Sequence, residues 1–319
     1  MPDSNLTAGT ERLGWTSDAL HAAATVSAAH RVGLLTALEA GPMCADDVAR
    51  VCGLDVQPTT ILLRSLAAIG LVDSSADGRF EPAVPKLSVL GAIGASADLL
   101  VEAVRTGRAP LECDIPAGAT RFYPDTVSYL ATLVSTAAEA VAEYLSGAGQ
   151  ILDVGAGAAP WSIALARRDP RCRVTALDFA SVLASTRRAV DEAGFADQFE
   201  YMAGDAFEVP LPPATYDLVL LGNLCHLFDP HANRQLLRRL RPAIQPGGRI
   251  AIIDVLPSQN LAVNRSVQLY AAGLMTRTSR GGVHDERSYR AWLEEAGFYE
   301  IRVHEASRTP PTSVLTGWA

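Results

Sequence analysis

The chain has 319 residues, 49% of them hydrophobic, which suits one large domain or two ordinary ones around a sizeable core and excludes a mostly disordered protein. A net charge of −8 and a pI near 5.3 argue against nucleic acid as the main partner, because neutralising phosphates takes basic surface. The cysteines (Cys44, Cys52, Cys113, Cys172 and Cys225) are scattered, odd in number and without a CxxC pair, which fits a reducing cytoplasm rather than a disulfide framework or a structural zinc site.

Residues 1–14 read as a loose tail without the basic-then-apolar pattern of a signal peptide, and no apolar run reaches membrane-spanning length. A cytoplasmic protein with no membrane partner is expected. From Thr16 the pattern turns helical, with an apolar stripe over 19–41, a short helix over 43–55 and a third over 56–72. VDSSADGRFEPAVP then has the turn chemistry of a β-hairpin, completing the element order of a winged helix. The would-be recognition helix, PTTILLRSLAAIG (58–70), offers only Arg64 as a cation, and residues 1–100 hold six basic against eleven acidic side chains. A protein–protein element, most simply a symmetric dimer, therefore suits this domain better than a DNA-binding regulator.

Residues 87–145 are mostly helical, interrupted by TGRAP (106–110) and IPAGATRFYPD (115–125). Phe122 and Tyr123 fall in the second break, either as core residues or as a lid over a ligand. From Gln150 the period changes. ILDVGAG, RVTALDF (173–179), FEYMAGD (199–205), YDLVLLGNL (216–224), RIAIIDVL (249–256) and YEIRVHEA (299–306) are short, nearly continuous apolar runs. All but RIAIIDVL lead into helical segments up to the last run. Such strands alternating with helices mean an α/β fold with a parallel sheet covered on both faces. The reading divides the chain into a domain over 1–105, a helical linker over 106–145 that contributes to a substrate pocket, and a ligand-binding α/β domain over 146–319.

ILDVGAGAAPW (151–161) puts two glycines at the first strand-to-helix turn, where backbone can approach a ligand closely. A dinucleotide fingerprint would need glycine where Pro160 stands, and a P-loop would need GK[ST]. Both phosphate-cradling readings fail. What remains is D-x-G-x-G, with Asp153 ahead of Gly155 and Gly157, an acid that repels pyrophosphate and suits a cationic amino group. Asp178, followed by Phe179, ends the second strand, where an acid accepts hydrogen bonds from ribose hydroxyls. Gly204, Asp205, Ala206 and Phe207 follow the third strand and offer an acid and an apolar side chain for a purine. A ribose, a purine, an ammonium and no phosphate describe S-adenosylmethionine (SAM).

With this set in order on successive strand ends, the sequence resembles the class I SAM-dependent methyltransferases. More closely it is similar to the small-molecule O-methyltransferases that carry an N-terminal winged-helix dimerisation domain. The resemblance runs from about residue 16 to 306 and is most specific in LLGNLCHLFDPHANRQLLRRLRPAIQPGGRIAIIDV (220–255). It implies a Rossmann-like seven-stranded sheet with a reversed final hairpin, a mostly helical N-terminal dimerisation domain and a homodimer. One departure is Ala159, where many members have a third glycine.

Methyl transfer from a sulfonium needs an aligned nucleophile, a dry site and, for a hydroxyl, removal of a proton. His226 lies just beyond the fourth strand, at the carboxyl edge of the sheet, and histidine is the natural base at neutral pH. The resemblance places the family's catalytic histidine at His226, in His226-Leu227-Phe228-Asp229 where members usually read H-D-W-x-D/E. It puts Phe228 in place of the tryptophan near the adenine, Asp254 as the acid that orients the base, and Asn223 among the cofactor contacts. The family's second acid falls on Val283 or His284, so His284 is carried as a third candidate catalytic residue, while His231 is expected in solvent. The expected activity is SAM-dependent methylation of a hydroxyl on a small secondary metabolite. The alternatives are metal-assisted C-methylation of an enolisable keto acid, with His226, Asp254 and His284 as ligands, and a family member that keeps SAM for other chemistry.

Overall fold

The computed structural model describes residues 4–84, 87, 88 and 97–319. It divides into two compact units, Met1–Asp98 and Leu99–Ala319.

In the first unit, helix α1 (Ser4–Arg31) begins well ahead of Thr16, so helix occupies most of the stretch expected as a tail. The long helix expected over 19–41 is broken after Arg31, and α2 (Leu34–Glu39) follows. Helices α3 (Ala45–Cys52) and α4 (Val56–Ala68) come next, the latter capped by Asp55, which accepts from the Gln57 N–H at 2.9 Å. Strands β1 (Met43–Cys44), β2 (Val72–Ser74) and β3 (Arg79–Pro82) form an antiparallel sheet in the order β1-β3-β2. Leu34, Leu35, Leu38, Val48, Leu63 and Leu66 pack with Phe80 as its core.

Helix α5 (Ala97–Thr106) leads into the second unit. Helix α6 (Pro116–Tyr144) runs straight through the break expected at 115–125, and places Phe122 and Tyr123 in its third turn. Pro124 inside it removes one backbone donor, and a proline in a helix interior costs about 3 kcal/mol. Two features offset this locally. The Thr126 hydroxyl donates to the Phe122 carbonyl at 2.5 Å, and Ser185 donates to the Pro124 carbonyl at 2.8 Å. Residues 106–145 are thus no free linker, because α6 packs against α7 (Pro160–Arg168) and α8 (Ala180–Ala193) of the same unit.

The apolar runs fold as β4 (Gln150–Val154), β5 (Arg173–Asp178), β6 (Phe199–Ala203), β7 (Tyr216–Gly222) and β8 (Ile244–Asp254). A reversed hairpin, β9 (Tyr299–Arg308) with β10 (Pro311–Trp318), completes a seven-stranded sheet in the order β6-β5-β4-β7-β8-β10-β9. Of these strands only β10 runs against the rest, antiparallel to both β8 and β9. Neighbouring residues alternate between faces, so a wholly apolar run supplies both. Leu218, Leu220, Ala251 and Ile253 pack under α6, α7 and α8. Val219, Leu221, Ile250 and Ile252 pack under α9 (Pro230–Leu240) and α11 (Glu286–Glu295). Contrary to expectation, β8 is also followed by a helix, α10 (Leu261–Leu274). Among the described residues no helix is long and apolar enough to cross a membrane.

Candidate active site

The chain order of the strands reverses between β4 and β7, and the carboxyl ends of β4, β5, β6 and β7 meet there, where open α/β sheets bind ligands. The turn after β4 holds Gly155 at φ 68° and Gly157 at φ 58°, both in the left-handed region. A Cβ on Gly155 would come within 3.0 Å of Leu224, and one on Gly157 within 3.3 Å of Val127. The turn is thus a bare-backbone cradle. Asp178 closes over it: the Gly157 N–H donates to Oδ2 at 2.9 Å, and the Phe179 N–H to Oδ1 at 2.7 Å. Burial raises this carboxyl to about 6, against the pull of those two N–H groups.

Asp153 is fully buried at the end of β4 and accepts from the Ser162 hydroxyl. Burial raises it to about 7, the Ser162 bond pulls down, and nearby Asp178 adds to the rise. Gly204 donates its N–H to the Asp178 carbonyl at 3.0 Å, which draws the β6 turn beside the β5 turn. There the Phe207 N–H donates to Asp205 Oδ1 at 2.9 Å, and the Ala206 carbonyl accepts from Arg239 at 3.1 Å. The Phe207 and Phe228 rings meet edge to face at 5.0 Å. Two half-buried carboxylates, a glycine cradle and an aromatic corner on adjacent turns fit a nucleoside with an amino-acid tail.

Across the switch point, the chain after β7 turns through Asn223 (φ 53°), whose N–H donates to the Ile253 carbonyl at 2.8 Å. This places His226 over the end of β8. His226 is 2% exposed and its Nδ1 lies 2.8 Å from Asp254 Oδ1. A carboxylate only accepts, so Nδ1–H donates and Nε2 carries the lone pair. Asp254 also accepts from the Val255 N–H and the Tyr289 hydroxyl, each at 2.9 Å, and from the His226 N–H at 3.2 Å. Burial alone would raise Asp254, but the His226 imidazole and these donors outweigh it and hold the carboxyl below its ordinary value. On the other side of the ring, the Tyr270 hydroxyl lies 3.2 Å from Nε2.

His284 does not join this pair. Its Nε2–H donates to the Phe228 carbonyl at 2.9 Å, and its ring packs against Trp292 at 4.9 Å. No hydrogen bond links it to His226 or Asp254, and among the described residues no three His, Cys, Asp or Glu side chains gather as a metal site. His231 is exposed, as expected.

Residues 119–299 match the model of the O-methyltransferase domain family. The chain belongs to this family. It is 27% identical over 316 residues to 3-hydroxy-5-methyl-1-naphthoate 3-O-methyltransferase of Streptomyces sahachiroi, covering 92% of this chain and 90% of that protein. Its fold is similar to that of human N-acetylserotonin methyltransferase solved with SAM (TM-score 0.76, 21% identity, 97% of each chain). It is also similar to the mitomycin 7-O-methyltransferase (TM-score 0.74, 25% identity, 99% of each chain). The protein is a SAM-dependent methyltransferase, and the cradle fits that cofactor.

Several residues of this methyltransferase's site have no mark in the sequence. Tyr270 and Tyr289 reach His226 and Asp254 from α10 and α11, forty or so positions away from them. Asn233, fully buried on α9, donates to the Cys225 and Phe228 carbonyls at 3.0 and 3.1 Å and fixes the turn that carries His226. The Gly281–Gly282 pair is the one signal along the chain that marks this contact. The Gly282 N–H donates to the His226 carbonyl at 2.8 Å, and a Cβ on Gly281 would overlap the backbone of His226 and Leu227.

Proposed function

We propose that the enzyme methylates a hydroxyl of a small aromatic metabolite, with His226 as the general base. The observation that carries this reading is the Asp254–His226 pair: one ring nitrogen is tied to a buried carboxylate at 2.8 Å, and the other carries a lone pair that here accepts from the Tyr270 hydroxyl at 3.2 Å. When bound, SAM supplies a methyl group already activated by its sulfonium. His226 Nε2 takes the proton from the acceptor hydroxyl as the oxygen–methyl bond forms and the methyl–sulfur bond breaks. Asp254 holds the imidazole in the tautomer this needs and stabilises the imidazolium that results. In this reading Asp178 takes the ribose hydroxyls, Asp205 and Phe207 hold the adenosine with Phe228, and the β4 turn receives the amino-acid end. The 3-O-methylation for which the naphthoate relative is named supports a phenolic acceptor.

A homodimer through the first unit belongs to the same reading. It is supported by Leu13 and Leu20 on α1, which are 73% and 67% exposed in a single chain. The metal-assisted alternative draws no support from the site, because His284 faces Phe228 rather than His226.

The test is transfer of labelled methyl from SAM to a panel of phenols. Phenol ethers should form with the native enzyme and fall to background with His226→Ala while cofactor affinity holds. Methyl transfer that survives in His226→Ala would overturn the base assignment.

A further inference from the structure

The acceptor side of the site holds a cation that the proposed mechanism leaves unused. Arg277 follows α10, and its backbone is held on both sides. The Cys113 N–H donates to the Arg277 carbonyl at 2.6 Å, and the Arg277 N–H donates to the Leu274 carbonyl at 2.8 Å. Leu111 pairs in the same way with Thr276 at 3.0 Å, and the Ala109 N–H donates to Ser279 Oγ at 2.8 Å. Residues 109–113 and 276–279 therefore form a fixed strap.

The guanidinium carbon of Arg277 lies 5.5 Å from the centre of the Tyr270 ring, whose hydroxyl sits 3.2 Å from His226 Nε2. Its charge also bears on Tyr123 and on Cys113, whose N–H is bonded to the Arg277 carbonyl. Arg277, Tyr123 and Tyr270 are each partly exposed, as side chains lining a cavity are. No ion pair of the described residues includes Arg277. A half-buried arginine away from bulk water is ordinarily paired with an anion. Its neighbours here are phenols and a thiol, which give it no counter-charge, and burial raises all three.

We infer that Arg277, flanked by Tyr123 and Tyr270, recognises a carboxylate on the acceptor, so that the substrates are aromatic hydroxy acids. The fork of the guanidinium matches a carboxylate in two parallel bonds, and the two tyrosine rings suit a flat body between that acid and His226. This rests on the methyltransfer reading above. The same guanidinium chemistry could instead take the carboxylate of the cofactor's own amino-acid tail. The acceptor is favoured because Arg277 hangs from the segment that brings the Tyr270 hydroxyl to Nε2 of the base.

The test measures dissociation constants with S-adenosylhomocysteine present, for 3-hydroxybenzoate and 3-hydroxy-2-naphthoate against their primary amides. With the native enzyme, at least one acid should bind about ten-fold or more tightly than its amide. Arg277→Gln should erase that preference and leave the affinity for S-adenosylhomocysteine unchanged. Equal binding of acid and amide to the native enzyme overturns the proposal without needing any variant, and so does binding of neither. An acid preference that persists in Arg277→Gln overturns it as well. Loss of S-adenosylhomocysteine affinity in Arg277→Gln would assign the guanidinium to the cofactor instead. Failure of the native enzyme to bind S-adenosylhomocysteine would reject the methyltransferase reading itself.

Discussion

The two halves of the sheet's carboxyl edge are built by different rules. On the cofactor side, each group sits on the turn that ends its own strand: Gly155 and Gly157 after β4, Asp178 at the end of β5, and Asp205 with Phe207 after β6. On the acceptor side, only His226 and Asp254 follow that pattern. Tyr270, Arg277 and Tyr289 arrive from helices and straps well beyond the strands. A strand-end site is fixed by local chain geometry and can be read along the sequence. A site assembled from distant segments depends on tertiary packing, which one sequence does not encode as a pattern.

The comparison is broken most severely at His226, the base on the acceptor side. His226→Ala is expected to lower kcat by about a hundred- to ten-thousand-fold, the usual weight of a positioned base. Its dissociation constant for S-adenosylhomocysteine should stay near the native value. Titration calorimetry with the product and a radiolabel assay separate the two effects. A parallel loss of both would mean that the imidazole holds the cofactor side together.

Asp178→Ala tests the cofactor side on its own. Losing a charged hydrogen-bond acceptor is expected to weaken SAM by about ten- to a hundred-fold. Affinity should also depend on pH. Burial raises Asp178 to about 6, and hydroxyl donors favour the ionised form, so the native affinity should tighten as pH rises through that value. In Asp178→Asn the pH dependence should weaken to the part that Asp153 supplies. An unchanged constant in Asp178→Ala would remove the ribose assignment.

Legibility followed the same division. The switch from helical period to apolar runs at Gln150 revealed the sheet, because strands buried on both faces need no polar alternation. The break expected at 115–125 failed because Gly118 and Pro124 weigh against helix locally, while packing on α7 and α8 outweighs them. His284 failed to reach the base for a similar reason. The resemblance puts the family's second acid at Val283 or His284, but the local chain turns the His284 ring onto Trp292 and the Phe228 carbonyl. Strand β10 escaped the reading of residues because Pro311, Thr312 and Gly317 dilute its apolar pattern, although the resemblance implied a reversed final hairpin.

Tyr289→Phe sharpens the acceptor side. It removes one donor from the buried Asp254 carboxylate and leaves the ring packing on Trp292 intact. An unmet buried acceptor costs about 1–3 kcal/mol, which should appear as lower thermal stability and a lower kcat with acceptor KM unchanged. A changed KM with normal kcat would move Tyr289 from positioning Asp254 to lining the pocket.

The smallest effect concerns Asp153, where the cofactor side meets the core. Burial raises its carboxyl to about 7, well above the usual value near 3.9 in an unfolded chain. The folded state then holds the proton more tightly than the unfolded one. That contribution to stability is complete below about pH 4 and is lost as pH climbs through 7. Melting temperature should therefore decline between pH 5 and pH 8 in the native enzyme and decline less in Asp153→Asn, which keeps an acceptor for Ser162. S-adenosylhomocysteine carries the ammonium group that would favour the ionised form. It should protect the native enzyme more at pH 8 than at pH 5, and in Asp153→Asn that difference should narrow to the part that Asp178 supplies. A difference as wide in Asp153→Asn as in the native enzyme would make Asp153 a core residue tied to Ser162, and leave the cofactor's amino group to the backbone of the β4 turn.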